Sequence, residues 1–110
     1  MAQVTRSEHK AENILLKDLK ETFSNCLAVA ERKNADYAGS EDPFRNFKNS
    51  NLVGVTPARA ILVRITDKLS RIGNLLDNEA QVKDESIIDT LDDLINYSAI
   101  LKSVIKNNVK

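Results

Sequence analysis

One hundred and ten residues make about one small domain, with room for only a modest core. Hydrophobic residues are 42% of the chain and charged residues 29%, with 16 basic against 16 acidic side chains. That balance fits a soluble globular protein and argues against a dedicated nucleic-acid binder, which would be strongly basic.

A single Cys excludes an internal disulfide, and one Cys with one His excludes a metal site built on those residues. Three Gly, two Pro and no Trp point to helices rather than a sandwich or barrel. No apolar run approaches the roughly 18–20 residues of a membrane span. The first ten residues lack a hydrophobic signal core, so the expected location is the cytoplasm of a bacterium or of a phage-infected cell.

In chain order, residues 1–6 read as a frayed lead. Thr5 and Glu8 have capping-box spacing, with Ser7 as a rival cap. From about 7 to 33 the pattern is helical, and Ile14, Leu15, Leu19, Phe23, Cys26, Leu27 and Ala30 form one stripe. Cys26 reads as a buried core thiol. The only His, His9, lies in the N-terminal lead, so no Cys/His dyad is expected.

The pattern breaks at Asn34. Residues 34–56 hold Gly39, Pro43, Gly54 and many Asn, Asp and Ser, which makes a connection long enough to suggest a function. Tyr37, Phe44 and Phe47 predict that it folds back onto the helices. Asp42 followed by Pro43 predicts a short helix over 43–48.

A second helix is predicted over 57–77, with Thr56 as N-cap and Pro57 at its first position. Its predicted buried stripe is Ala58, Ile61, Leu62, Ile65, Leu69, Ile72 and Leu76. Arg64, Lys68 and Arg71 form a basic row along one edge, and Asp67 lies further round. The short polar turn over 78–83 favours an antiparallel neighbour, predicted as a third helix over 84–107.

The third helix carries two faces. Ile87, Ile88, Leu91, Leu94 and Ile95 are apolar, while Glu85, Asp89, Asp92 and Asn96 fall in one row almost opposite, with Asp93 beside them. A divalent cation, a cationic partner or solvent must relieve those carboxylates. If the acidic side is buried, the loop, a second subunit or both must cover it. Further along, Tyr97, Ile100 and Val104 form a second apolar patch. A homodimer is the expected cover, with loop 34–56 as the alternative.

The expected fold is therefore all-α: a single domain over 1–110, a small bundle of three main helices with a long ordered loop, dimerising into a larger bundle.

The acidic row suits Mg²⁺ or Mn²⁺, which take oxygen ligands and leave room for waters and substrate phosphates. The basic row suits phosphate oxygens. Together they are the components of a metal-assisted phosphate-ester site. Simpler readings stand beside this one: acids favoured by a helix N-terminus, or an Asp89–Arg71 or Asp93–Lys68 ion pair between adjacent helices. Tyr37, Phe44 and Phe47 suit either base stacking or anchoring of the loop. Asn46 suits either a base edge or a turn cap.

Three segments, KNADYAGSEDPFRNF (33–47), RITDKLSRIGNLL (64–76) and DESIIDTLDDLINYSAIL (84–101), together resemble the nucleotide modification associated domain of phage and bacterial proteins. That family is similar to the all-α nucleoside triphosphate pyrophosphatases of the MazG type. The resemblance implies a helical, dimeric fold with a nucleotide site between helices and cleavage between the α and β phosphates with Mg²⁺.

On this chain it implies Glu85, Asp89 and Asp93 as the catalytic, metal-facing acids, completed by Asn96 and Tyr97. Asp67, also metal-facing, would come from the second helix together with Lys68 and Arg71. Lys33, Asp36, Tyr37, Asn46 and Phe47 would contribute from the loop, near phosphates or base. The second helix departs from the MazG pattern of paired glutamates, since Arg64, Lys68 and Arg71 surround the single acid Asp67. That lowers cation-binding charge and adds phosphate-binding charge.

Three functions follow: a Mg²⁺-dependent nucleotide pyrophosphohydrolase, with Arg64, Lys68 and Arg71 holding the leaving phosphates; a non-catalytic protein that sequesters a nucleotide or nucleotide signal; or a structural dimerisation module. Membrane partners and strong nucleic-acid binding are not expected.

Overall fold

The computed structural model describes residues 6–37, 41–81 and 86–110, with side chains from residue 13 onward except that of Tyr37. Among them the architecture is all-α, with no strand. The first helix, α1, runs Arg6–Tyr37 and does not break at Asn34. Ala35 is a strong helix former, and no Pro or Gly interrupts the chain before Gly39.

The connection to the second helix is ordered by its own side chains. Asp42 Oδ1 accepts the Phe44 N–H at 2.9 Å, and Asp42 Oδ2 takes the Lys48 ammonium at 2.8 Å. A 3-10 helix then spans Arg45–Val53, two residues later in start and five in end than the predicted short helix. Gly54 ends it at φ 75°, the left-handed conformation glycine adopts without a Cβ penalty, and donates to the Asn51 carbonyl at 3.1 Å.

Helix α2 spans Pro57–Leu75. The predicted start holds: Thr56 is extended, and its Oγ1 accepts the Arg59 N–H at 3.3 Å. Helix α3 spans Ile87–Lys106, started by a capping box in which Ser86 Oγ accepts the Asp89 N–H at 3.1 Å and Asp89 Oδ2 accepts the Ser86 N–H at 3.2 Å. The predicted start at 84 falls outside the described residues, but the cap at Ser86 fixes the first helical residue at Ile87.

Helices α2 and α3 are antiparallel, as the short connection predicted. Arg64 meets Tyr97 and Lys68 meets Asp93, so four residues up one helix match four down the other. Ile61 and Val104 are 1% exposed, and Pro57 and Thr90 are buried too. The hydroxyl of Thr90 is satisfied by donation to the Ser86 carbonyl at 2.7 Å.

The seam uses one edge of each predicted apolar stripe: Ala58, Ile61, Ile65 and Ile72 of α2 are buried or half-buried, and Ile87, Leu94 and Ile95 of α3 are half-buried. Leu62, Leu69 and Leu76 of the α2 stripe are exposed, and so are Ile88 and Leu91 of the α3 stripe. Both helices are rolled toward their charged edges, which brings Lys68 onto Asp93 and half-buries Arg71. At 100° per residue, the exposed leucines of α2 and the exposed Ile88 and Leu91 fall on the same side of the hairpin, away from the Lys68–Asp93 pair.

Helix α1, rather than the expected loop or second subunit, covers the acidic row of α3 at Asp92 and Asn96, while Asp89 stays exposed. Cys26 is 3% exposed, its carbonyl accepts the Asn96 Nδ2–H at 3.1 Å, and its Sγ lies 3.8 Å from the Asp92 carbonyl. The patch of Tyr97, Ile100 and Val104 is covered from within the chain as well. Val104 is buried, and Tyr97 and Ile100 are half-buried across a cavity from Phe44 and Phe47.

The N-terminal part of α1 has no such partner among the described residues. Ile14, Leu15, Leu16, Leu19, Phe23 and Leu27 are all exposed, Phe23 by 59%. The molecule measures 60 × 36 × 22 Å with a radius of gyration of 17.8 Å. A compact domain of this length has about 13 Å. Among the described residues no helix is long and apolar enough to cross a membrane.

Candidate functional site

Four stretches meet around one cavity of about 560 Å³, within the usual size range of small-molecule sites. The last turns of α1 contribute Ala30, Lys33 and Asn34. The loop and 3-10 helix contribute Pro43, Phe44, Asn46 and Phe47. Arg64 comes from α2, and Asp93, Asn96, Tyr97, Ile100 and Ser103 come from α3.

Each wall follows from local structure. Asn34 joins Lys33 at the cavity because α1 continues helical past the predicted break. Phe44 and Phe47 are placed by the Asp42 turn, and the Phe47 N–H donates to the Phe44 carbonyl at 2.9 Å. On α3, Asp93, Asn96, Tyr97, Ile100 and Ser103 follow the i, i+3, i+4, i+7 spacing of one face.

The cavity has two chemistries. Aromatic and apolar side chains, Phe44, Phe47, Tyr97, Ile100 and Pro43, share the lining with the charges Lys33, Arg64 and Asp93. Arg64 stands with its guanidinium carbon 5.9 Å from the centroid of the Tyr97 ring, a cation–π distance. Asp93 is not bare, because Lys68 Nζ lies 3.0 Å from its Oδ2. This is one of the two ion pairs the sequence offered as a simple explanation of the charged rows.

Eight residues that the sequence offered for the site therefore come together at the cavity: Lys33, Phe44, Asn46, Phe47, Arg64, Asp93, Asn96 and Tyr97. Lys68 adjoins it through Asp93. Asp36, Asp67, Arg71 and Asp89 are not in the lining. Asp36 and Asp67 are exposed, Arg71 is half-buried on α2, and Asp89 sits in the α3 capping box. The side chain of Tyr37 and all of Glu85 lie outside the described residues.

The sequence reading did not place Ala30, Asn34, Pro43, Ile100 or Ser103 at the site. Ile100 and Ser103 were one and two turns beyond Asn96 and could have been found by extending its row.

The expected cation can be tested against these donors. Among the described residues no three Asp, Glu, His or Cys side chains come together. A Mg²⁺ ion here would be held by Asp93, with Asp89 one turn away, and would take its remaining ligands from phosphates and water. That is a normal arrangement for this ion.

The sequence model of one protein family, described as nucleotide modification associated domain 1, matches residues 33–105. That span contains every described cavity residue except Ala30. No curated protein and no solved structure matches the chain.

Proposed function

The chain belongs to the nucleotide modification associated domain 1 family, and from that premise we propose that it binds a nucleotide in the cavity between α1, the 3-10 helix, α2 and α3. One observation carries the reading: aromatic side chains and the cations Lys33 and Arg64 line the same cavity. A nucleotide needs that combination. Its base stacks on rings, worth about 1–3 kcal/mol per base, and its phosphate takes charge-assisted hydrogen bonds from Arg and Lys.

Phe44 and Phe47 would flank the base, Asn46 would meet its edge, and Lys33 and Arg64 would hold phosphate. A thermal-shift screen of nucleotides tests this. A ligand at one hundred times its Kd stabilises the folded state by about 2.7 kcal/mol. The shift should be lost in Phe47→Ala and weakened in Arg64→Gln. A shift that survives both changes would place the nucleotide elsewhere.

A second reading is favoured by Asp93, a half-buried carboxylate on the cavity wall one helical turn from Asp89. In it the protein is a MazG-like, Mg²⁺-dependent pyrophosphohydrolase of a cytoplasmic nucleotide pool, with Glu85, Asp89 and Asp93 as its acids. The ion would supply Lewis-acid charge stabilisation when bound. Arg64 and Lys68 would orient phosphate oxygens. Turnover of NTPs with Mg²⁺ or Mn²⁺ that is abolished in Asp93→Asn supports this reading, whereas recovery of intact ligand from every incubation supports binding alone.

We propose in addition that the chain self-associates. Its accessible surface is 8829 Å², against about 6,100 Å² for a folded monomer of its mass. Large apolar side chains are exposed on α1, among them Phe23 and Leu27, and on the α2–α3 hairpin, among them Leu69 and Ile88. Contiguous apolar patches mark interaction surfaces, and a two-fold pair of identical chains is the commonest solution.

A further inference from the structure

The charges around the cavity say more than that a nucleotide fits. Lys33, Arg64 and Asp93 are the charged side chains of its lining. Asp93 is already matched by Lys68 at 3.0 Å. With that pair counted as neutral, Lys33 and Arg64 remain as the positive charge offered to a ligand.

A phosphate monoester carries roughly −1.5 to −2 charge near neutral pH. These two cations match its charge while the Lys68–Asp93 pair stays intact. A triphosphate carries roughly twice as much and would leave charge uncompensated unless a divalent cation came with it. That cation would be drawn to Asp93, and binding it there would require parting Asp93 from Lys68. Neutral polar groups share the lining. Asn96 is held in place by its bond to the Cys26 carbonyl, and Asn34, Asn46 and Ser103 add polar groups.

We infer that the ligand of this site is a nucleoside monophosphate, bound through its phosphate by Lys33 and Arg64 and without a divalent cation. This rests on the nucleotide reading above and goes beyond it in naming the phosphorylation level. Arg64 turns from the Tyr97 ring toward the phosphate, and the ring is freed to pack on sugar or base.

The test is calorimetric titration of the full-length protein with the four deoxynucleoside monophosphates, their triphosphates and the parent nucleosides, each in EDTA and in Mg²⁺. At least one monophosphate should bind in EDTA about tenfold or more tighter than its triphosphate, with little change on adding Mg²⁺. Arg64→Gln and Lys33→Gln should each weaken that monophosphate by about tenfold and leave its nucleoside unchanged, which separates loss of a phosphate contact from loss of folding.

Tighter binding of a triphosphate that depends on Mg²⁺ overturns the inference and leaves the nucleotide reading standing. Monophosphate binding that is indifferent to both variants overturns the assigned phosphate contacts. No binding by any of these compounds overturns both the inference and the nucleotide reading.

Discussion

Asp42 and Cys26 are titrating residues that hold opposite parts of the site, and their environments push them in opposite directions. The ammonium of Lys48, and after it the N–H of Phe44, hold the Asp42 carboxyl below its ordinary value. A depressed carboxylate favours the folded state above its unfolded pKa, and that contribution is lost as pH falls through the folded value. The thermal midpoint should therefore decline on the acid side through the carboxylate range, and Asp42→Asn should flatten part of that decline. Because this turn places Phe44 and Phe47, the same variant should weaken nucleotide binding at neutral pH.

Cys26 is shifted the other way. Burial first, and then the negative charge of Asp92, push its thiol up. The folded state keeps the proton more tightly, so the contribution is present below the ordinary thiol value and is lost as pH rises through the folded value. A disulfide reagent at pH 8 should label Cys26 slowly in the native protein and quickly in denaturant. Equal rates would mean that α1 is not seated on α3 in solution.

At the scale of elements, the capping box of α3 does more than start a helix. It commits Asp89, which accepts both the Ser86 N–H and, at 2.7 Å, the Ser86 hydroxyl. Ser86→Ala should cost about 0.5–2 kcal/mol in denaturant unfolding, the range for lost N-caps.

The Lys68–Asp93 pair joins α2 to α3 with side chains 28% and 35% exposed, so its worth is limited by solvent screening to about 0.2–1 kcal/mol in a double-mutant cycle. A coupling near zero would mean that the roll of the two helices comes from packing alone.

The helices and the cap of α2 were legible in the sequence because Thr56, Pro57 and apolar spacing are local signals. The third helix's start was misjudged because a run of acids resembles a first helical turn, whereas Ser86 with Asp89 is the stronger signal. The site was half legible. Phe44 and Phe47 of the loop and Arg64 and Asp93 of the charged rows do line one cavity, while Asp36, Asp67, Arg71 and Asp89 do not, and the inward edge of α2 and α3 was read only in part. Periodicity assigns the core to the most apolar stripe. Here α1 and the 3-10 helix dock on the charged side, and that is a tertiary fact invisible to any single helix.

For the whole molecule, the surface excess and the long radius make self-association a measurable matter. Light scattering should give twice the monomer mass of 12.3 kDa or a higher multiple. Leu69→Glu on the hairpin, or Phe23→Glu on α1, should shift the population to monomer, and a monomer for the unaltered chain would overturn the assembly proposed above. The variant that acts identifies the surface used, since the two residues lie on different faces.

One feature ties assembly to the ligand. Helix α1 is a rod of about 48 Å at 1.5 Å per residue. One end carries bare apolar side chains and the other end carries Lys33. The Cys26–Asn96 contact lies between the two ends. A second chain that clasps the free end would also hold the Lys33 end still. Nucleotide affinity should then depend on protein concentration, tightening as the chain is raised through its association constant, and Phe23→Glu should abolish that dependence while leaving the cavity residues untouched.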